Sequence, residues 1–108
     1  MRTTWNEART RDEVQRYMKE RSLNYMYGIT LDQFMEMLRR QEGKCAICGE
    51  DITRVVKGRI QACVDHDHST EAVRGLLCSA CNKGLGFFRD NTRVMRAAIL
   101  YITNHKLR

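Results

Sequence analysis

Val73-Arg74-Gly75-Leu76-Leu77-Cys78-Ser79-Ala80-Cys81-Asn82 decides how the rest of the chain is read. Val73 to Leu77 is a short β-prone run. It feeds directly into two cysteines spaced by two residues, which open a short helix carrying Asn82; Gly84 and Gly86 keep that helix brief. Upstream, Cys45-Ala46-Ile47-Cys48-Gly49 repeats the knuckle, and its glycine permits the tight turn that wraps two thiolates around a metal. Structural zinc takes four thiolate or imidazole ligands in a closed tetrahedron. A two-residue gap lets both sulfurs of a knuckle reach one ion, so Cys45, Cys48, Cys78 and Cys81 are the expected ligands of a structural Zn²⁺. The fifth cysteine, Cys63, has no partner knuckle and reads as a small apolar filler in a strand.

Residues 49–77 separate the knuckles, more than the roughly 15–20 residues of a simple zinc ribbon. An insertion therefore hangs between the two halves of the site. Residues 50–58 read as loop or short strand. Ile60 to Val64 is β-prone and ends at Asp65-His66-Asp67-His68. A turn through Ser69-Thr70-Glu71 leads back into Val73–Leu77, which makes the pair a hairpin with zinc clamped at its base. Such a site can contribute on the order of 10 kcal/mol to folding, a large amount for a core this small.

The chain has 108 residues, enough for one compact domain. Hydrophobic residues at 43% and charged ones at 30% exclude a disordered or fibrous chain. No apolar run approaches the roughly 20 residues needed to cross a bilayer. The first residues lack a signal-peptide core, so a cytoplasmic protein is expected, with no membrane partner. That compartment and the odd cysteine count disfavour a disulfide scaffold. Net charge is +6, from 19 Lys+Arg against 13 Asp+Glu, which favours a polyanionic partner through phosphate pairing and counterion release.

Residues 1–40 read as an N-terminal helical arm and residues 41–108 as the zinc-stapled unit. A helix is expected over residues 6–27, with Val14, Tyr17 and Met18 on one side and an aromatic patch at Leu23, Tyr25, Met26 and Tyr27 before Gly28. Its basic residues (Arg9, Arg11, Arg16, Lys19, Arg21) alternate with acidic ones, which reads as a solvated face rather than a DNA track. Thr30-Leu31-Asp32-Gln33 matches a capping box, followed by Leu31, Phe34, Met35 and Leu38 on one helical face that ends near Gly43. A last helix starts after Asp90-Asn91 with Val94, Ala97, Ala98 and Tyr101 on one face; His105, near its end, reads as a partner of the terminal carbonyls.

The cluster at residues 65–68 is where chemistry would lie. Magnesium takes oxygen ligands, keeps several waters and often binds through one or two protein groups plus a substrate phosphate. Histidine is the usual general base near neutral pH. Asp65, His66 and the amide of Asn82 together could support metal-assisted phosphodiester hydrolysis. One condition attaches: on a regular strand Asp65 and His66 point to opposite faces, so the chain must bend there. Asp67 reads as the cap of the following turn.

Lys44-Cys45-Ala46-Ile47-Cys48-Gly49, then Val64-Asp65-His66-Asp67-His68, then Val73 to Asn82 closely resembles the recombination endonuclease VII family of phage nucleases, part of the wider H-N-H group. The resemblance runs from about Tyr27 to Tyr101. It implies an α+β fold, a small zinc-stapled ββα-metal (His-Me finger) core with flanking helices. It implies a divalent-metal-dependent DNA endonuclease, acting on duplex or branched DNA as a monomer or homodimer. On that resemblance Asp65 and Asn82 would ligate one catalytic Mg²⁺ or Mn²⁺, and His66 would be the general base. His68 would lie near the scissile phosphate, while Arg74 would either contact phosphate or brace the hairpin by an ion pair. The competing reading is a non-catalytic zinc module that binds nucleic acid. It leaves the adjacent Asp65 and His66 unexplained, because acidic groups beside a phosphate site weaken binding unless a cation neutralises them.

Overall fold

The computed structural model describes residues 5–20 and 29–104. Eight elements follow in order: α1 (Glu7–Glu20), α2 (Leu31–Arg40), β1 (Val55–Val56), β2 (Arg59–Ile60), β3 (Cys63–His66), β4 (Val73–Leu77), α3 (Ser79–Phe87) and α4 (Thr92–Asn104). The expected aromatic patch, the Gly28 stop and His105 lie outside the described residues. No described helix is long and apolar enough to cross a membrane.

α2 shows how local chemistry sets the frame. The Thr30 hydroxyl accepts the Gln33 N–H at 3.1 Å, and the Gln33 side chain accepts the Thr30 N–H at 2.8 Å, so the capping box forms. Phe34, Met35 and Leu38 are fully or almost fully buried. The helix stops at Arg40, earlier than the expected Gly43. The cause is a Schellman ending: the Glu42 N–H reaches the Arg39 carbonyl at 3.0 Å and the Gly43 N–H reaches the Leu38 carbonyl at 2.9 Å. Glu42 takes the left-handed conformation (φ 56) in place of the glycine. Gly43 serves a tighter purpose, since a Cβ there would lie 2.7 Å from the Thr53 methyl and 2.9 Å from the Trp5 ring.

The strands form two separate antiparallel hairpins. β1 and β2 pair Val55 with Ile60 and Val56 with Arg59. They are joined through Lys57 and Gly58, both at positive φ (54 and 75), as a two-residue hairpin turn requires. The β-prone run expected from Ile60 to Val64 is thus divided, Ile60 belonging to β2 and Val64 to β3. β3 and β4 pair Cys63 with Leu77, Val64 with Leu76 and Asp65 with Gly75, after which the register slips and His66 faces Val73. Arg74 is the extra residue of this bulge. The register shift falls at the Asp65–His66 step, where the sequence required an irregularity.

The core joins both halves of the chain: Val14, Phe34, Met35, Leu38, Cys45, Ile52, Ile60, Ala62, Leu76 and Leu77. α1 packs on α2 and β2, α2 on β4, and α3 on both strands of the second hairpin. β3, β4 and α3 therefore make a ββα unit. α4 forms where expected, with the Asn91 side chain accepting the Val94 N–H at 3.1 Å. Its face does not enter the core, however: Val94 is 41% exposed and Tyr101 66%. The helix leaves α3 through a turn that carries it beyond the hairpins.

Candidate active site and its cysteine cluster

The first knuckle is a small hairpin closed by a bridge between Lys44 and Asp51, with Cys45 N–H on the Glu50 carbonyl at 2.7 Å and Gly49 at φ 81. The second is the start of α3. The Cys78 sulfur caps that helix by accepting the Cys81 N–H at 3.4 Å, and the Ile47 N–H reaches the Cys45 sulfur at the same distance. The Ala46 N–H donates to the Leu76 carbonyl at 3.2 Å, which ties the first knuckle to the strand leading into the second.

Cys45, Cys48, Cys78 and Cys81 consequently converge, with all four sulfurs within 4.8 Å of one another. Cys48 and Cys78 are 3.7 Å apart. A tetrahedron with Zn–S bonds of about 2.3 Å has edges of roughly 3.8 Å, so the cluster has the size and chemistry of a structural zinc site. The thiols also behave as a crowd. Burial acts to raise Cys45, but N–H donors from Cys48, Cys78 and Ile47 outweigh it and bring the thiol down to about 6. Burial first, then the neighbouring sulfurs, push Cys81 up to about 12. Four sulfurs this close ionise together only with a cation among them. Cys63 stays outside the cluster, and burial pushes its thiol up, in keeping with an inert filler.

Next to this cluster, Val64, Asp65, His66, His68, Asn82, Leu85, Gly86 and Asp90 line a pocket of about 150 Å³. Three local devices bring the polar residues there. His66 ends β3 and His68 begins the turn that follows it, and this brings their ring centroids to 4.8 Å. The Arg74 bulge turns Asp65, which is 8% exposed, toward the same space. The Cys78 cap sets the start of α3, so Asn82 projects one turn in. Asp67 does what its turn position suggests: its Oδ1 accepts from the Ser69 N–H at 2.8 Å and the Ser69 hydroxyl at 2.6 Å, which holds its pKa below the usual carboxylate range.

Arg74 braces the hairpin through an ion pair. Its Nε lies 2.8 Å from Asp65 Oδ2 and its Nη2 3.1 Å from Asp65 Oδ1. The same guanidinium reaches Asp90, with Nη1 3.0 Å from Oδ2 and Nη2 3.1 Å from Oδ1. These bonds, to Asp65 first and then to Asp90, raise the arginine pKa above its ordinary value. Asp90 escapes a sequence reading, which sees Asp90-Asn91 only as the start of a helix. Gln41 escapes it too. Its side chain accepts the Leu76 N–H at 3.0 Å and donates to the Leu76 carbonyl at 2.9 Å, standing in for a strand beside β4.

The donor set in the pocket suits a hard cation: the carboxylate of Asp65 with that of Asp90 at the edge, one amide oxygen, two imidazoles alongside, and open volume for water or phosphate. A guanidinium already sits on both oxygens of Asp65, which marks the place as one that takes positive charge.

Together these features define a small α+β protein in which a β-hairpin and a helix meet on a four-cysteine cluster able to hold zinc. The chain belongs to the recombination endonuclease VII family, whose profile matches residues 20–104. It is 43% identical over 79 residues to the Gene 59 protein of Mycobacterium phage L5, covering 72% of this chain and 46% of that protein. It is likewise 43% identical over 77 residues to the Gene 59 protein of Mycobacterium phage D29, covering 70% of this chain and 44% of that one. The chain thus matches less than half the length of these relatives. No solved structure matches it.

Proposed function

We propose that the protein is a divalent-metal-dependent DNA endonuclease of the H-N-H type, with His66 as general base and a single catalytic ion. The observation that carries this reading is the gathering of Asp65, His66, His68 and Asn82 around one pocket beside the cysteine cluster. Asp65 and Asn82 would hold the ion, and the four cysteines a structural Zn²⁺. A Mg²⁺ or Mn²⁺ there supplies charge stabilisation to the reacting phosphate and its leaving oxygen. His66 takes the proton of the attacking water, His68 lies against it on the phosphate side, and Leu85 and Gly86 wall the pocket on the helix side. Two-metal nucleases need ions about 3.5–4 Å apart, usually held by several carboxylates, and the residues here suit one ion better.

Charge placement supports a DNA partner. On the N-terminal helices Arg9, Arg11, Arg39 and Arg40 are paired with Glu13, Asp32, Glu7 and Glu36. Arg54, Lys57 and Arg59 in and just before the first hairpin, Lys83 on α3, Arg89 in the turn after it, and Arg93 and Arg96 on α4 engage no carboxylate among the described residues. They are available to phosphates, with a steep salt dependence expected.

The test is cleavage of supercoiled plasmid in Mg²⁺, Mn²⁺ or EDTA, for the wild type and His66→Ala. Metal-dependent nicking or linearisation is expected, with a loss of at least ~10² in rate in the variant while zinc content and fold persist. Wild-type rates in His66→Ala would remove the proposed base. DNA bound but uncut in every metal, on plasmid and branched substrates alike, would favour the non-catalytic zinc module.

A further inference from the structure

Asp90 is the one acidic residue of the pocket that the proposed mechanism leaves without a role. It sits where α3 ends in a second Schellman turn: the Arg89 N–H reaches the Gly86 carbonyl and the Asp90 N–H the Leu85 carbonyl, both at 2.9 Å. Arg89 and Asp90 both take left-handed backbone (φ 56 and 57). Aspartate tolerates that conformation better than most side chains. The turn brings the carboxylate back over the hairpin, onto the Arg74 guanidinium and the edge of the pocket.

We infer that Asp90 is the positioning residue of the cation site, sharing Arg74 with Asp65 so that Asp65 keeps its capacity to bind a divalent ion. This inference rests on the proposed placement of that ion at Asp65. Its physical basis is a charge count. Asp65 and Asp90 share one guanidinium, which leaves a net negative charge at the pocket. With Asp90 neutral, Arg74 would cancel Asp65 outright, and the entering ion would have to displace a guanidinium with no second anchor. With Asp90 present, Arg74 can shift its hydrogen bonds toward Asp90 as the ion takes an oxygen of Asp65. Asp90 thus acts through Arg74 and touches neither substrate nor ion.

The experiment is Mn²⁺ binding to the zinc-loaded protein, followed by electron paramagnetic resonance and calorimetry, beside plasmid cleavage as a function of Mn²⁺ concentration. Asp90→Asn should weaken Mn²⁺ binding by ~10-fold, the low end for residues that orient metal ligands. Cleavage should then recover to within about twofold of wild type at saturating Mn²⁺, whereas a merely structural defect would lower the saturated rate. Asp90→Glu should restore most of the affinity. In an Arg74→Gln background the Asp90→Asn effect should shrink, because the arginine that transmits it is gone. That background also decides the matter if Asp90→Asn fails to fold. An unchanged Mn²⁺ affinity in Asp90→Asn, or the same weakening with and without Arg74, overturns the inference. Asp65→Ala separates the two failures: wild-type Mn²⁺ affinity there removes the ion from Asp65 and the inference with it. Loss of binding in Asp65→Ala with none in Asp90→Asn leaves the active-site reading standing and rejects only the role of Asp90.

Discussion

Gln41→Ala tests whether one polar side chain substitutes for a missing strand. Gln41 lies just past the end of α2 and binds the outer edge of β4 at both polar groups of Leu76. Leu76 is fully buried, so water cannot replace those partners at no cost. The carbonyl keeps a second donor, the Ala46 N–H at 3.2 Å, but the Leu76 N–H has only Gln41 Oε1. A third bond, from Gln41 Nε2 to the Lys44 carbonyl at 2.7 Å, is exposed, and water can take it over. An orphaned buried N–H costs about 1–3 kcal/mol, and the two lost donor bonds add a few tenths each, so the expected loss is about 2–3 kcal/mol. For a domain of this size each kcal/mol shifts Tm by roughly 4–8 °C. Urea unfolding at fixed zinc should show a lower midpoint with an unchanged m-value. Hydrogen exchange should show loss of protection at the Leu76 amide first. A destabilisation under about 0.5 kcal/mol, with Leu76 still protected, would refute the idea that Gln41 satisfies this edge.

Two further perturbations probe the staple and the core. Cys78→Ser removes a proposed zinc ligand and weakens the cap of α3 at once, so metal analysis should show loss of bound zinc and circular dichroism a drop in helix content; unchanged values of both would count against the clamp. Ile52→Ala truncates a fully buried side chain between the first knuckle and the first hairpin and should cost about 2–5 kcal/mol by urea unfolding; a cost below about 1 kcal/mol would mean the site collapses around the gap.

How much was legible in the chain depended on whether a residue's partner lay within reach of a pattern. The Thr30–Gln33 box, the apolar face of α2, the returning strand Val73–Leu77 and the paired knuckles are local or regularly spaced, and each is found as read. Ile52 is a lone apolar residue in a polar stretch, with no periodicity to announce it, yet it is fully buried. Gln41 and Asp90 act across 35 and 16 positions of sequence, through side chains whose type is equally common on open surface. α4 has an apolar face that reads as core, but a helical stripe says only that a face can be buried, and nothing about what covers it. The bulge at Arg74 is the instructive case. Pairing Asp65 and His66 at one site demanded a break in the strand, so chemistry predicted a backbone irregularity that propensity could not.

That break also explains why the candidate site tolerates so small a scaffold. Separate constraints fix four side chains: the end of β3 and the turn after it set His66 and His68, the bulge sets Asp65, and the cysteine cluster sets Asn82 through the first turn of α3. Only the placement of Asn82 would depend on a zinc held by the cysteines. Metal removal should therefore displace Asn82 before it displaces the β3 residues. The two-stranded hairpin alone is only marginally stable, however, and α3 is what covers it. The helix that presents the amide also walls the pocket with Leu85 and Gly86, and Asp90 in the turn just past its end sets the charge around Arg74. In this fold one helix, begun at the cysteine cluster, joins the geometry of the pocket to its electrostatics.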